Sequence, residues 1–241
     1  MQTEISEKTD LYQNIPEHIG IIPDGNRRYA KKHGKPTAHG HFKGYKTLSD
    51  LVEYFPEYGV NELTIYGFST ENMKRSEDEK SKIFSIIEIG LDEVMKKTED
   101  KKYKITFPGR KEILPPELAE HMEEIEDSTS KNSYPRLNIC LAYGGRAELV
   151  DAIKNIADKT KNGEIAPEQL TEKVISEYLD VENDVDLVIR TGERRLSNFL
   201  NWQTSYSELI FLEDILWPEF DRNTFESCLK EYTERKRNFG K

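Results

Sequence analysis

Residues 18–30 have the sequence HIGIIPDGNRRYA, in which a short apolar run leads through a turn into a basic segment. The run IGII is too short for a typical helix and is rich in β-branched side chains, so it predicts a buried strand. Pro-Asp-Gly predicts a tight turn, and the residues after it predict the start of a helix. A strand followed by a short turn and a helix is the unit from which parallel α/β sheets are built.

The same pattern recurs along the 241 residues. Five more apolar runs of four to eight residues predict strands: ELTIYGF (62–68), KITF (104–107), RLNICLAY (136–143), DLVIR (186–190) and ELIFL (208–212). Amphipathic patterns between and after them predict helices, among them 147–163, 225–241 and one that follows the capping box at 76–79. We predict an α/β fold, a single domain with a central, mainly parallel six-stranded sheet flanked by helices.

The domain boundaries follow from the absence of any repeat or dividing linker in the sequence. Residues 17–241 are predicted to form one domain, and residues 1–16 a loosely ordered extension. The beginning of the chain is polar and acidic, unlike a signal peptide, and no run of about 18 apolar residues predicts a membrane span. Cys140 and Cys228 lack metal or redox spacing, which predicts free thiols in a reducing compartment such as the cytoplasm.

The charge is unevenly distributed. The chain carries 45 acidic and 35 basic residues, a net charge of −10, which argues against a broad nucleic-acid surface. Residues 24–46 nevertheless hold seven basic residues and one acidic residue, and residues 186–197 hold three arginines. We therefore expect a local anion-binding site and no nucleic-acid partner.

Polar residues follow three of the predicted strands: DGNRRY (24–29), FSTENMKR (68–75) and RTGERRLSN (190–198). Ligands of parallel sheets bind beyond the carboxyl ends of the strands. A helix start with Arg27 and Arg28 suits a phosphate, and a carboxylate beside it, Asp24, suggests a bridging Mg²⁺. The alternatives are a plain turn at Asp24 and a solvated loop at 190–197. Two anion sites favour a reaction between two phosphorylated substrates, with Glu208 as a second carboxylate, although a lone glutamate is more often a surface residue.

These motifs resemble those of the cis-prenyltransferases, the undecaprenyl and dehydrodolichyl diphosphate synthase family. The resemblance is carried by HIGIIPDGNRRYA (18–30), Gly40-His41 with Gly44, FSTEN (68–72), RTG (190–192), RLSNF (195–199), Trp202-Gln203 and Glu208, and it covers about residues 17–240. The forms DGNRRYA and KRS (74–76) are closer to the eukaryotic and archaeal branch than to the common bacterial one.

The resemblance implies a cytoplasmic homodimer that condenses isopentenyl diphosphate with an allylic prenyl diphosphate in the presence of Mg²⁺ and creates a Z double bond. It also implies a hydrophobic tunnel for the product, with peripheral membrane contact when the product is released. The apolar helix that carries Ile83, Phe84, Ile87 and Leu91 is the candidate wall of this tunnel, together with Leu141, and the same residues also suit an ordinary core.

Residue roles are carried over by position. Asp24 and Asn72 are expected to be catalytic, and Asp24 and Glu208 to bind the metal. The resemblance assigns substrate binding to Gly25, Asn26, Arg27, Arg28, Tyr29, His41, Ser69, Thr70, Glu71, Met73, Arg75, Arg190, Arg195, Leu196 and Ser197. Of these, Arg28 and its neighbours would hold the allylic diphosphate, whereas Arg190, Arg195 and Ser197 would hold isopentenyl diphosphate.

Two departures from the family pattern leave alternatives open. Thr37 stands where many members have a phosphate-binding arginine, and the loop 190–195 is one residue shorter than usual. The alternatives are irregular coupling of two allylic diphosphates, or hydrolysis of a prenyl diphosphate, on the same fold. A non-catalytic partner subunit is a further alternative, but such subunits typically lack the catalytic carboxylate that Asp24 provides here.

Overall fold

The computed structural model describes residues 14–98 and 102–235, and within them six parallel strands form one sheet. The spatial order is β3-β4-β2-β1-β5-β6, and every neighbouring pair is parallel, as predicted. The strands are β1 (His18–Ile22), β2 (Glu62–Ser69), β3 (Lys104–Thr106), β4 (Arg136–Tyr143), β5 (Leu187–Thr191) and β6 (Glu208–Leu212). Each lies within two residues of its predicted bounds.

Helices connect the strands and cover the sheet. They are α1 (Asn26–Lys32), α2 (Thr37–Tyr54), α3 (Glu77–Thr98), α4 (Pro116–Thr129), α5 (Gly145–Lys161), α6 (Glu172–Ser176) and α7 (Arg222–Glu234), with short 3₁₀ turns between them. Helix α3 begins at the predicted capping box, where the Ser76 hydroxyl accepts the N–H of Glu79 at 3.3 Å. Residues 1–13 of the predicted extension and 236–241 of the predicted last helix lie outside the described residues.

Both faces of the sheet are buried, which explains why its strands are nearly continuous apolar runs. Ile19 and Ile21 of β1 face a large core that is closed by α2, α3, α4 and α7. Ile22 faces a smaller core on the other side, which contains Phe199. Successive side chains of a strand point to opposite faces, so β1 contributes to both cores. No described helix combines the length and the apolar character that are needed to cross a bilayer.

The amino ends of the central strands are joined by a buried polar network. The His18 Nδ1–H donates to the backbone carbonyl of Asp184 at 2.9 Å, and its Nε2 accepts from the Thr64 hydroxyl at 2.7 Å. Asn138 donates from Nδ2 to Thr64 and to Glu62, both at 2.8 Å. Burial lowers the pKa of His18, against the opposing charge of Glu62, so its imidazole is neutral in the folded chain.

Candidate active site

A cavity of about 830 Å³ lies at the carboxyl ends of β1, β2 and β5. The three predicted polar segments meet there because the parallel sheet places their strand ends at one edge. The predicted residues that line the cavity are Asp24, Gly25, Asn26, Arg27, Arg28, His41, Ser69, Glu71, Asn72, Arg75, Arg190, Arg195 and Ser197.

The turn after β1 is fixed by its backbone. The N–H of Asp24 donates to the Thr191 hydroxyl at 2.9 Å, and the Asp24 carbonyl accepts from that hydroxyl and from the Trp217 N–H, both at 2.8 Å. Gly25 has φ = 106°, and a Cβ there would lie 2.8 Å from Leu216. This turn therefore requires glycine, and Asp24 is held from two sides.

The Asp24 carboxylate lies between two arginines. Its Oδ1 is 3.1 Å from Nη2 of Arg28, and its Oδ2 accepts from Nη2 of Arg190 at 3.0 Å. The Arg190 side chain is only 3% exposed, and it also donates to Ser197 Oγ at 2.6 Å and to Glu193 at 3.1 Å. Its Nε has no partner among the described residues. A buried guanidinium with a free donor is suited to bind an anion.

The loop after β5 presents a hydroxyl to the cavity. Ser197 Oγ accepts from Arg190 and from Nε of Arg195, the latter at 3.1 Å, so its own O–H remains available as a donor. Ser197 and Asn198 both have positive φ, 51° and 64°. Asn198 anchors this strained loop, because its Oδ1 accepts the N–H of Arg146 at 2.9 Å.

Asn72 is oriented by the turn after β2. The Ser69 hydroxyl accepts the N–H of Asn72, and Asn72 Oδ1 accepts the N–H of Ser69, both at 3.2 Å. The oxygen of the amide is therefore occupied, and the Nδ2 group remains to donate. Asn72 is thus suited to hold a phosphate oxygen or a water molecule and is not suited to remove a proton itself.

A second group of basic side chains lies on the α1 side of the cavity. Glu79 of α3 is 3.2 Å from Arg75 and 3.9 Å from Arg27, so it connects these two arginines. The buried His41 Nε2 has no partner among the described residues. Burial and the charge of Arg75 lower the pKa of His41 to about 4, against the opposing charge of Glu79. His41 is therefore neutral near pH 7 and can accept or donate one hydrogen bond.

An apolar cavity of about 120 Å³ adjoins the polar one. Pro23, Asn26, His41, Gly67 and Ile83 line both cavities. The remaining walls come from α2, α3 and the sheet: Gly44, Tyr45, Leu48, Ile65, Ile86, Ile87, Gly90, Leu91, Val94, Ile139, Leu141 and Trp217. The adjoining cavities fit a molecule with an anionic head and an apolar tail.

The predicted tunnel wall is largely found in this apolar cavity. Ile83, Ile87, Leu91 and Leu141 line it, as the apolar face of the predicted helix indicated. Phe84 does not line it and instead packs in the core, where its ring centroid is 5.2 Å from that of Phe68.

Four predicted binding residues lie beside the polar cavity without lining it. The Tyr29 ring packs against His33, with 4.2 Å between the centroids, and the Thr70 hydroxyl donates to the Glu71 carboxylate at 3.2 Å. Met73 packs against the large core and Leu196 against the small one. Within this chain, these four side chains contact neighbouring residues and do not face the polar cavity.

Glu208 is not brought to the cavity within one chain. It is the first residue of β6 and pairs with Leu187, the first residue of β5. It therefore lies at the amino ends of the strands, whereas Asp24 follows the carboxyl end of β1. Its carboxylate accepts from Nη1 of Arg235 at 2.8 Å. A five-residue strand is about 16 Å long, so the predicted metal pair of Asp24 and Glu208 is not formed within the chain.

Several residues of the site were missed by the sequence reasoning. Glu79 is four residues after Arg75, a helical ion-pair spacing that is visible in the sequence. Glu193 and Asn198 lie inside the quoted third segment and line the cavity. Thr191 and Trp217 act on Asp24 through its backbone, and no local pattern indicated this.

Comparison with known proteins shows the class of this site. The family model of undecaprenyl diphosphate synthase matches residues 22–240. The tritrans,polycis-undecaprenyl-diphosphate synthase (geranylgeranyl-diphosphate specific) of Pyrococcus furiosus is 44% identical over 94% of this chain and 88% of its own length. The isoprenyl transferase of Fusobacterium nucleatum is 44% identical over 95% of this chain and 98% of its own.

A solved structure shows the same fold. Lavandulyl diphosphate synthase from Lavandula x intermedia, in complex with dimethylallyl diphosphate, superposes with a TM-score of 0.90 at 30% identity over 94% of this chain and 99% of its own. The fold, the cavities and these relatives define a prenyltransferase of isoprenoid diphosphates. The chain belongs to the undecaprenyl diphosphate synthase family of cis-prenyltransferases.

Proposed function

We propose that this enzyme condenses isopentenyl diphosphate with an allylic prenyl diphosphate, with Mg²⁺ bound, to form a Z-polyprenyl diphosphate. The observation that carries the proposal is the position of Asp24 between two groups of arginines, beside a cavity that suits a prenyl tail. One group lies next to the apolar cavity and the other lies away from it, which suits substrates of different length.

The allylic diphosphate is assigned to the first group. Arg27 and Arg28 of α1 and Arg75 line the polar cavity, and His41 lines both cavities. A head held there leaves its prenyl chain next to the apolar walls. The name of the Pyrococcus relative, which is specific for geranylgeranyl diphosphate, supports a long allylic primer for this chain as well.

Isopentenyl diphosphate is assigned to the second group. Arg190, Arg195 and the Ser197 hydroxyl line the polar cavity but not the apolar one. The Ser197 O–H is a donor without a described protein partner, so it is free to bind a phosphate oxygen, and the buried Arg190 beside it supplies positive charge. A short substrate needs no apolar sleeve, which fits this position.

The proposed chemical step is consistent with these positions. The allylic C1–O bond breaks and its electron pair leaves with the diphosphate, while the alkene electrons of isopentenyl diphosphate form the new bond to C1. The C2 proton of isopentenyl diphosphate then leaves to a phosphate oxygen or a water molecule, and its C–H electrons form the new double bond. The products are the longer prenyl diphosphate, diphosphate and a proton. Arginines that face the leaving group stabilise its developing charge, and Asn72 orients the proton acceptor.

The residues of this chain fit a Mg²⁺ ion that is bound by one carboxylate. Mg²⁺ usually binds one or two carboxylates together with substrate phosphates and water. Asp24 offers such a carboxylate between the two proposed diphosphate positions, and no cluster of three ligating side chains occurs among residues 14–98 and 102–235. We assign the metal to Asp24 and the substrates, and not to a protein cage. When bound, Mg²⁺ would neutralise charge on the leaving diphosphate.

Product analysis tests the proposed reaction. The enzyme is incubated with geranylgeranyl diphosphate alone, with isopentenyl diphosphate alone and with both, and the extracts are analysed by mass spectrometry and NMR. We expect elongated products with new Z bonds only when both substrates are present. Products from the allylic substrate alone would instead support irregular coupling or hydrolysis and would refute the proposal.

We further propose that the enzyme is a homodimer through the outer face of α5. Val150 and Ile153 are 47% and 61% exposed and lie one helical turn apart, so they form an apolar surface. Light scattering after size exclusion tests this proposal. The wild type should run as a dimer and Ile153→Asp as a monomer, whereas a monomeric wild type would contradict it.

Peripheral membrane contact is proposed at the outer face of α2 and α3, within a cytoplasmic protein. Phe42 and Ile89 are 38% and 52% exposed, and they neighbour Tyr45 and Gly90 of the apolar cavity. Lys46 lies 5.6 Å from the Phe42 ring, so basic charge adjoins the apolar pair. Flotation with anionic vesicles should recover the wild type and less of Ile89→Ser. Equal recovery of the two proteins would contradict this assignment.

A further inference from the structure

Trp217 contacts three parts of the active site at once. Its backbone N–H donates to the Asp24 carbonyl at 2.8 Å, and its indole Nε1–H donates to the Gly44 carbonyl of α2 at 2.7 Å. Its ring lines the apolar cavity and is 2% exposed. One residue therefore joins the turn that carries the catalytic carboxylate to a wall of the proposed tail cavity.

The contact between Trp217 and α2 leaves no free space. A Cβ on Gly44 would lie 2.8 Å from Cδ1 of Trp217 and 2.3 Å from Oδ1 of Asn26. One face of the indole stacks on Phe220, with 5.2 Å between the ring centroids. The indole is held at its nitrogen edge by α2 and on one face by Phe220, so a displacement of α2 acts on it directly.

The segment 216–219 that carries Trp217 is bonded to α1 as well. Glu219 accepts the N–H of Leu216 at 3.1 Å and the Lys32 ammonium at 2.6 Å. The Leu216 side chain packs against Gly25, directly after Asp24. The segment is therefore a rigid connection between the Asp24 turn, α1 and α2.

We propose that Trp217 is a positioning residue through which the occupancy of the apolar cavity controls the position of Asp24. The inference rests on the proposed function, because the occupant is the tail of the allylic substrate. A tail that fills the cavity presses on the indole and on α2, to which the indole is bonded at Gly44, and the Trp217 backbone N–H transmits this to the Asp24 carbonyl. The carboxylate then reaches its working position when a long substrate is bound.

The variant Trp217→Phe tests the link, because it keeps the backbone N–H and an aromatic wall but removes the indole donor. We expect kcat with geranylgeranyl diphosphate to fall about tenfold, which is about 1.4 kcal/mol. The KM for isopentenyl diphosphate should stay unchanged, and the gain in kcat from a short to a long allylic substrate should shrink. Unchanged kcat and unchanged length dependence would overturn the proposal, as would a rise in KM alone.

Trp202→Phe is the matched control, because Trp202 donates to Ser176 at 3.0 Å and lines neither cavity. The chain has two tryptophans, so this variant leaves Trp217 as the single indole fluorophore. Its emission should change when geranylgeranyl diphosphate binds and should not change with inorganic pyrophosphate. An unchanged emission would overturn the proposal even if Trp217→Phe fails to fold.

The fluorescence also separates the role of Trp217 from the proposed condensation reaction. Equal emission with both ligands would overturn the role of Trp217, whatever the enzyme produces. A tail-dependent emission change in an enzyme that forms no product from the two substrates would support the link and refute the proposed condensation. A loss of activity in Trp202→Phe equal to that in Trp217→Phe would also overturn the proposal.

Discussion

Arg190→Lys keeps a positive charge at the centre of the site but removes the guanidinium fork. In the structure, Nη1 of Arg190 donates hydrogen bonds to Ser197 and to the Arg195 carbonyl, and Nη2 donates to Asp24 and Glu193. A single ammonium group cannot occupy both nitrogen positions, so two of these four hydrogen bonds are lost. Hydrogen bonds of charged groups contribute about 1.5–3 kcal/mol each. Two of them at the lower value give about 3 kcal/mol, or about a hundredfold in kcat/KM.

Incorporation of labelled isopentenyl diphosphate into extractable product gives kcat/KM for this variant. Arg194→Lys is the matched control, because Arg194 is 69% exposed, pairs with Glu213 and does not line the cavity. We expect Arg194→Lys to retain wild-type kcat/KM, with circular dichroism spectra alike for all three proteins. A value for Arg190→Lys within threefold of the wild type would refute the reasoning.

Three further outcomes are expected. Gly90→Ala should shift products to shorter chains, because its Cβ would lie 2.9 Å from the Tyr45 ring in the wall of the apolar cavity; unchanged chain lengths by mass spectrometry would contradict this. The wild type should lose stability as the pH falls below about 6.5, because burial lowers the pKa of His18 and the unfolded chain then binds more protons. Urea unfolding of His18→Gln should show a smaller loss between pH 7.5 and 5.5, by up to about 1.4 kcal/mol per pH unit, and an equal slope would count against it. EDTA should abolish turnover, and Mg²⁺ should restore it. The melting temperature of the free enzyme should not change with EDTA, because the described residues form no three-ligand metal cluster. A lower melting temperature would indicate a metal held by the protein alone and would contradict this prediction.

The sheet was predictable because a parallel strand that is buried on both faces is a contiguous apolar run. The carboxyl ends of such strands share one edge, so Asp24, Asn72 and Arg190 were expected to meet, and all three line the polar cavity. Glu208 shows the converse. It is the first residue of its strand, and strand starts lie at the opposite end of the sheet, so one chain does not bring it to Asp24.

Contacts made by the returning chain were not predictable. Trp217 reaches Asp24 and Gly44 from a segment that follows β6, about 190 and about 170 residues further along the chain. Its position depends on how the chain packs back onto α1 and α2, and no local periodicity specifies that. The unpartnered Arg190 Nε and His41 Nε2 likewise became visible only in three dimensions.

Turnover of Asp24→Ala tests the central claim most directly, because both proposed diphosphate positions and the proposed Mg²⁺ site converge on this carboxylate. Asp214→Ala is the control, since Asp214 is exposed and lies outside the cavity. The two variants and the wild type are compared by product formation from both substrates, with circular dichroism and light scattering to verify fold and dimer. We expect Asp24→Ala to form no detectable product while it keeps the fold and the oligomeric state of the wild type, and Asp214→Ala to match the wild type. Turnover by Asp24→Ala within tenfold of the wild type would contradict the account.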